Sequence, residues 1–400
     1  MKKVMVINCG SSSVKCKLYE VAGGGDFRVL AAGSVERIGE LEAGVHLSWS
    51  AGEVDTEEKI SSHHEALETL ERLLLEKGIL PDFASLDVVG HRVVHGGERF
   101  SQPVVVDETV LKAIRELVPL APLHNPYNLE GIQTLRKKAP DLVQVAVFDT
   151  AFHQAMPETG YRYALPEDLY RDHGVRRYGF HGISHAYLAR TAAGFLGRDS
   201  GDLNLVSLHL GNGASAAAIK GGRCVDTSMG MTPMEGLVMG TRSGDVDPGV
   251  LFYLERECGF SPQDLDSLLN RQSGLKGLCG DNDMRTVLRR RQEGDPAATT
   301  AFAIFCYRLK KYIGAYSAIL GRLDAVIFSG GIGARSPEVR EEVCRELKHL
   351  GISLDREANQ SVDSDIAVID DGRGPVRILS LVTDEEVEIA RQAFSLARSR

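Results

Sequence analysis

Three short segments rich in glycine, serine and asparagine follow strand-like apolar runs: Asn8 to Ser13, Gly211 to Ser215 and Gly330 to Gly333. Turns of this composition bring backbone N–H groups up to an anion with no Cβ in the way, and Ser and Asn side chains add donors. In a chain with 42 glycines one such turn is compatible with a plain hairpin, whereas three together point to phosphate. None fits a P-loop, because G-x4-G-K-[ST] is absent, and G-x-G-x-x-G fails at 211 and at 331. A Walker ATPase and a Rossmann dehydrogenase are therefore poor readings. Two arginines stand among glycines, Arg92 in the stretch His91 to Gly97 and Arg242 in Gly240 to Asp245. A guanidinium there presents a planar fork to phosphate oxygens in a way lysine cannot match, although either residue alone reads equally as a surface salt bridge.

Histidines 124, 181, 185 and 209 lie beside or near glycine or proline. His181 and His185 are four residues apart and could share a helix face, as could His91 and His95, but neither pair has the acid and third ligand of a zinc site. Asp149 ends an apolar strand, where an acid beside phosphate loops suits Mg2+ through oxygen or water ligands. Glu385, in the first turn of the last helix, suits the same ion or only the helix dipole. The runs Arg136 to Lys138 and Arg289 to Arg291 have no interleaved aromatics and read as solvated helix faces, not as a nucleic-acid surface.

The elements that must position these residues are legible in outline. Val4 to Ile7, the tip Asn8 to Ser13 and Val14 to Tyr19 read as a hairpin, and the layout recurs in Leu203 to Leu210, Gly211 to Ser215 and a strand to Ile219. The recurrence suggests two domains of shared ancestry, with chance similarity of two hairpins the competing explanation. Between them, helices around Glu65 to Lys77, Asp107 to Leu117 and Ala297 to Leu320 alternate with strands Asp87 to Gly90, Val143 to Phe148 and Ala325 to Phe328. This is the pattern of an α/β architecture. Thr383 to Glu386 fits a capping box for a closing helix whose buried stripe is Val387, Ala390, Phe394 and Ala397.

A chain of 400 residues exceeds the size at which single cores stop growing, which favours two domains. Its 46 Lys and Arg against 55 Asp and Glu give a net charge of -9, so no general field draws in nucleic acid or an anionic membrane. Any anionic ligand must be held by a local basic site. The seven cysteines are scattered, with no C-x2-C pair, which argues against a disulfide framework and for a reducing compartment. The apolar stretch after Lys3 is too short for a signal peptide, and no later run approaches a membrane span. The expectation is a cytoplasmic protein.

Taken with their order, these motifs resemble the acetokinase family over nearly the whole chain. The block N-x-G-S-S-S-x-K stands at Asn8 to Lys15, HRVVHGG at 91, FDTAFH at 148, YGFHGISH at 178, HLGNGAS at 209, and a long signature runs Asp226 to Gly236. The resemblance implies two duplicated actin-like (ribonuclease H-like) α/β domains with a nucleotide cleft between them, residues 1–150 plus 384–400 and residues 151–383, the second carrying most nucleotide contacts. It implies reversible transfer of the γ-phosphoryl group of ATP directly to acetate, with Mg2+ (Mn2+ substituting) as cofactor and a homodimer as the usual assembly. Carried over residue by residue, Asp149, Arg92, His181 and Arg242 are catalytic, and Asn8 and Glu385 hold the metal. Arg92, Val94, Leu123, Phe180 and Pro233 bind the acceptor, and His124 is a further site residue. Ser11 and Ser13 form the phosphate loop, and Lys15, His209, Leu210, Gly211, Asn212, Gly213, Asp283, Met284, Arg285, Gly331, Ile332 and Gly333 take the nucleotide. Two departures stand out: Ala334 and Arg335 follow the third turn where the family usually has Glu and Asn, and Cys16 replaces an aromatic. A propionate or butyrate kinase, a pyrophosphate- or polyphosphate-dependent kinase, and an ATP-driven binding module of the same fold remain as alternatives.

Overall fold

The computed structural model describes residues 1–23 and 25–399. The chain divides into two compact units, Met1–Phe152 with Asp384–Arg400, and His153–Thr383.

The first unit is built on eight strands: β1 (Lys2–Cys9), β2 (Ser13–Val21), β3 (Phe27–Glu36), β4 (Ala43–Trp49), β5 (Gly52–Glu58), β6 (Val88–Val93), β7 (Val104–Val105) and β8 (Gln144–Phe148). They lie in the order β5-β4-β3-β2-β1-β6-β8-β7. The hairpin β1–β2 is antiparallel, and β1, β6 and β8 run parallel. The apolar run Val4 to Ile7 is almost wholly buried, as a strand flanked by two neighbours and covered on both faces must be. One face is covered by the helix His63–Glu76, whose Leu67, Leu70 and Leu74 join a core with Leu18, Val35 and Leu47. Burying each such leucine contributes on the order of 2 kcal/mol.

The second unit has six strands, β9 (Asn204–Leu210), β10 (Ala214–Lys220), β11 (Arg223–Thr227), β12 (Ala325–Ser329), β13 (Ile366–Val368) and β14 (Arg377–Leu381), in the order β11-β10-β9-β12-β14-β13. Again the opening hairpin is antiparallel and its first strand runs parallel to the next two, β12 and β14. The two sheets thus repeat one plan, β3-β2-β1-β6-β8 matching β11-β10-β9-β12-β14 in order and sense. The 25-residue helix Pro296–Leu320 buries Phe302, Phe305, Leu309, Ile313 and Tyr316. By contrast, the helix Pro248–Cys258 buries no residue, and Val250, Phe252 and Tyr253 are exposed on it. Among the described residues no helix is long and apolar enough to cross a membrane. Six cysteines are buried, and Cys258 is exposed.

Four sequence expectations need correction. The strand placed at Asp87 to Gly90 continues to Val93, because β6 is paired on both sides and the ladder carries through the polar His91 and Arg92. Arg92 is therefore held on a central strand rather than in a loop, and His91 and His95 share no helix. The third glycine turn is one helical turn, Gly330–Gly333, entered through Gly330 at φ +74; the oxygen of Leu210 lies 2.5 Å from where a Cβ would stand, so a side chain has no room there. The closing helix, Glu385–Arg398, is capped by Asp384, whose carboxylate accepts from Val387 N at 2.9 Å and from Lys17 Nζ at 3.0 Å. Thr383 does not cap it, because its hydroxyl is engaged with Ser184 Oγ at 2.9 Å. Of the expected stripe only Ala390 is buried; the helix buries Glu388, Ile389 and Ala393 with it, while Val387, Phe394 and Ala397 are partly exposed, since Gly90 leaves room for Ile389 to press onto β6.

Candidate active site

In the first unit the side chains of Arg92, Asp149, Asn8 and Glu385 meet. Arg92 leaves β6, Asp149 follows the adjacent β8, Asn8 ends β1 and Glu385 opens the closing helix, so the carboxyl ends of three parallel strands and one helix N-terminus supply them. Arg92 Nη2 donates to Asp149 Oδ2 at 2.5 Å and Nη1 to Asn8 Oδ1 at 3.5 Å, while Nε lies 4.0 Å from Glu385 Oε2. Burial works against the Arg92 cation, but the carboxylates of Asp149 and Glu385 outweigh it and hold its pKa above the ordinary value. Glu385 is pushed up to about 7 by burial, opposed by Arg92 and reinforced by Asp149, Glu386 and Asp384. Asp149 is 1% exposed, and its Oδ1 is buried with no hydrogen-bond partner.

Segments around this set are fixed by two asparagines that sequence reasoning did not single out. Asn128 accepts from Val94 N at 3.0 Å and donates to Cys9 O at 2.7 Å, and Asn125 accepts from His95 N and donates to His95 O. Both lie on the helix Asn125–Lys138, for which His124 is the N-cap residue. Val94 is buried, while Leu123 is 59% exposed. At the β1–β2 tip Ser11 is exposed and Ser13 partly buried, and Gly10 closes the turn through its N–H to Ser13 O at 2.8 Å. Lys15 pairs loosely with Glu36 at 3.5 Å and, with Lys17, His46 and Glu386, lines a cavity of about 260 Å³ in this unit.

The second unit gathers His181, His209, Arg242 and Gly213. His181 sits at the N-cap of the helix Gly182–Leu196 in the left-handed region, φ 58, a conformation unfavourable for a residue with a Cβ and found where position outweighs strain. Its Nδ1 is 2.9 Å from Ser215 Oγ, and its ring centroid is 4.3 Å from that of His209. A Cβ placed on Gly213 would be 3.5 Å from His181 Cε1 and 3.6 Å from Arg242 Nη1, so both side chains converge on that tip. Arg242 rides on a loop closed by Gly236 N donating to Asp245 Oδ1 at 2.8 Å and Asp245 N to Gly236 O at 3.0 Å. It has no carboxylate partner among the described residues, and burial lowers its pKa. Phe180 is buried and Pro233 partly so.

Of the expected nucleotide residues, Gly211, Asn212, Asp283, Met284, Arg285, Gly331 and Ile332 line one cavity of about 430 Å³, with Asn282, Arg335 and Ser336 beside them. Asn282 Nδ2 donates to Asn212 Oδ1 at 3.0 Å, and Asp283 pairs with Arg285 at 2.7 Å. His209, Leu210, Gly213 and Gly333 do not line it: Leu210 is core, and the Gly333 carbonyl accepts from the buried Arg340. Lys15 belongs to the first unit. Arg340 also binds Ala334 O and Asn359, pinning the far side of the Gly330–Gly333 turn. No motif announces it, because it acts through backbone carbonyls.

The acetokinase family profile matches residues 3–391. The acetate kinase of Sulfurovum sp. (strain NBC37-1) is 50% identical over 391 residues, 98% of each chain, and that of Streptomyces coelicolor is 52% identical over 396 residues, 98% of this chain and 97% of that one. Among solved structures, Porphyromonas gingivalis acetate kinase superposes with TM-score 0.94 at 44% identity, covering 99% of this chain and 100% of that one. A propionate kinase from Francisella tularensis does so with TM-score 0.92 at 38% identity, with the same coverage. Two sheets of one plan, with strand-end residues and glycine tips at their carboxyl ends, are the two-domain actin-like ATPase fold. Within that class the chain belongs to the acetokinase family.

Proposed function

We propose that the chain is an acetate kinase, which moves the γ-phosphoryl group of ATP reversibly and in line to a carboxylate oxygen of acetate, giving acetyl phosphate and ADP. The observation that carries this reading is Arg242: a half-buried cation with no carboxylate partner, beside His181 at a glycine tip, is an arrangement completed by an anion. A carboxylate acceptor is already ionised at neutral pH, so no base has to take its proton. The obstacle is repulsion between two anions. Arg92, Arg242 and His181 neutralise charge on the transferring group, and the Gly211–Gly213 tip with the Asp283–Arg285 and Gly331–Ile332 segments holds the nucleotide. Asp149 orients Arg92 and, in this reading, takes no proton.

Asn8, Asp149 and Glu385 offer oxygen donors that would hold a divalent cation, and the partnerless Asp149 Oδ1 fits one. Mg2+ held there would supply charge neutralisation at the phosphates. Burial of Glu385, which penalises its charge, favours the same arrangement, because a bound dication reverses that penalty.

Incubating the purified protein with ATP, Mg2+, acetate and hydroxylamine should yield acetyl hydroxamate, and its absence would overturn the reading. The propionate kinase neighbour keeps a second acceptor in play. With Val94, Leu123, Phe180 and Pro233 around the methyl group, one methylene is worth about 1–3 kcal/mol, so acetate should exceed propionate by roughly 10- to 200-fold in kcat/KM. A preference for propionate would move the assignment to that neighbour's substrate. The exposed apolar side of the helix Pro248–Cys258 supports a homodimer. Seven free cysteines suit a reducing cytoplasm.

A further inference from the structure

His181 is one end of a buried chain of hydrogen bonds that the transfer chemistry does not account for. Its Nδ1 meets Ser215 Oγ at 2.9 Å, the same oxygen meets His185 Nε2 at 2.8 Å, and His185 Nδ1 meets Ser207 Oγ at 2.6 Å. Ser207, Ser215 and His185 are all 0% exposed. The register of the sheet explains the meeting: Ser215 pairs with His209 and Ala217 with Ser207 across β9 and β10, so Ser207, His209 and Ser215 share the sheet face that the helix Gly182–Leu196 covers. His185, one turn in from His181, reaches between the two serines.

Each hydroxyl has a single proton, and a neutral imidazole has one donor and one acceptor nitrogen. Were Ser215 to accept from both rings, its own buried proton would have no acceptor, so the chain runs in one of two directions. Among the described residues His185 Nδ1 is the one hydrogen-bond partner of the Ser207 hydroxyl. If His185 donated from Nδ1, the buried Ser207 proton would have no acceptor, an arrangement that native interiors avoid. Ser207 therefore donates to His185 Nδ1, His185 keeps its proton on Nε2 and donates it to Ser215, and Ser215 donates to His181 Nδ1. Neutral His181 is left with its proton on Nε2.

We propose that Ser215, His185 and Ser207 are positioning residues that fix this tautomer, so that His181 presents an N–H donor to the anionic oxygens of the transferring group. The inference rests on the reading of His181 as part of the phosphoryl clamp. Burial, with His153 and His209 nearby, pushes the His185 pKa well down and keeps it neutral, as the chain requires. Ionisable groups facing the two rings include His209, with its ring 4.3 Å from that of His181, His153, with its ring 5.7 Å from that of His185, and Arg242 across the Gly213 tip. The opposite tautomer would turn a lone pair toward the phosphate and repel it.

Histidine-selective 15N spectra of the free protein test the tautomer directly, with the His181 signal assigned by its loss in His181→Asn. In the native protein the neutral His181 ring should have a protonated Nε2 and a bare Nδ1. Ser207→Ala, which does not touch His181, should give a mixture of its tautomers and lower kcat about tenfold with KM for acetate and ATP within about twofold. Ser215→Thr, which keeps the hydroxyl, should preserve both tautomer and kcat. A native His181 with its proton on Nδ1, or a Ser207→Ala protein with unchanged tautomer and kcat, would overturn the proposal. The native spectrum decides even if Ser207→Ala fails to fold. Because the spectra need no substrate, they decide the tautomer by themselves, whereas a failure to make acetyl hydroxamate would remove the transferring group that the His181 donor serves and leave only the tautomer assignment standing.

Discussion

Arg92 in the first unit and Arg242 in the second differ in what holds them, and their substitutions should differ accordingly. Arg92 is locked between Asp149, Asn8 and Glu385, whereas Arg242 has no ion-pair partner among the described residues. Arg242→Ala should therefore fold normally and lose about 10³ in kcat, roughly 4 kcal/mol of transition-state stabilisation, with Arg242→Lys recovering little because the fork geometry is lost. Steady-state kinetics beside a melting curve check both halves. Glu385 gives a pH signature. Its pKa is raised to about 7 from an ordinary 4.5, so between those values the native state holds a proton that the unfolded chain releases. Stability should fall as pH rises through that window, by up to about 1.4 kcal/mol per pH unit, and level off above it. Urea titrations at several pH values should show the slope in the native protein and its loss in Glu385→Gln. Since a cation binds the ionised carboxylate, the Mg2+ concentration for half activity should climb as pH drops below about 7.

Residue types were the most legible feature of this site. Arginine in a glycine context, acid at a strand end and histidine beside glycine all follow from what phosphate requires. Hidden in the sequence were the groups that act through other groups. Asn125 and Asn128 hold backbone some thirty residues away, at Val94 and His95, and Arg340 holds the carbonyls of Gly333 and Ala334. Such partnerships depend on tertiary placement, and no spacing along the chain encodes them.

At the level of elements, hairpin tips were readable because glycine, asparagine and serine end strands for reasons local to the turn. The closing helix was readable as a helix but not in its phase. Val387, Ile389, Ala390, Ala393, Phe394 and Ala397 offer more than one apolar stripe, and the choice among them is made by Gly90 on β6. A Cβ there would stand 2.7 Å from Ile389 Cγ2 and 3.2 Å from Ala393 Cβ. Gly90→Ala should push the helix outward, destabilise the protein by about 1–3 kcal/mol and raise the Mg2+ requirement, because Glu385 rides on the first turn. Adding Ile389→Ala should restore part of both, so that the double variant loses less than the two single losses combined. Equal and additive losses would detach the metal effect from this contact.

For the whole molecule, the repeated plan of the two sheets was visible from the recurrence of strand, polar tip and strand, since a duplicated layout leaves a duplicated pattern. The helix Pro248–Cys258 carries no such mark, because its apolar residues look like any core stripe until the fold leaves them uncovered. Phe252, 58% exposed there, is the residue to change. Phe252→Asp should halve the mass measured by sedimentation while leaving the melting of each protomer within about 0.5 kcal/mol, as a surface substitution does. An unchanged mass would show that this helix does not join two copies.

Cysteine burial has an experimental consequence of its own. Burial drives the thiols of Cys9, Cys16 and Cys344 up to about 12 and that of Cys306 higher still, so they stay protonated and sheltered, whereas Cys258 is exposed at the end of the apolar helix. A thiolate-seeking fluorophore should thus enter the native chain once, at a known address, with no engineered handle. Energy transfer between identical dyes would then report on how near the same helix of a neighbouring copy comes, and on whether nucleotide changes that separation.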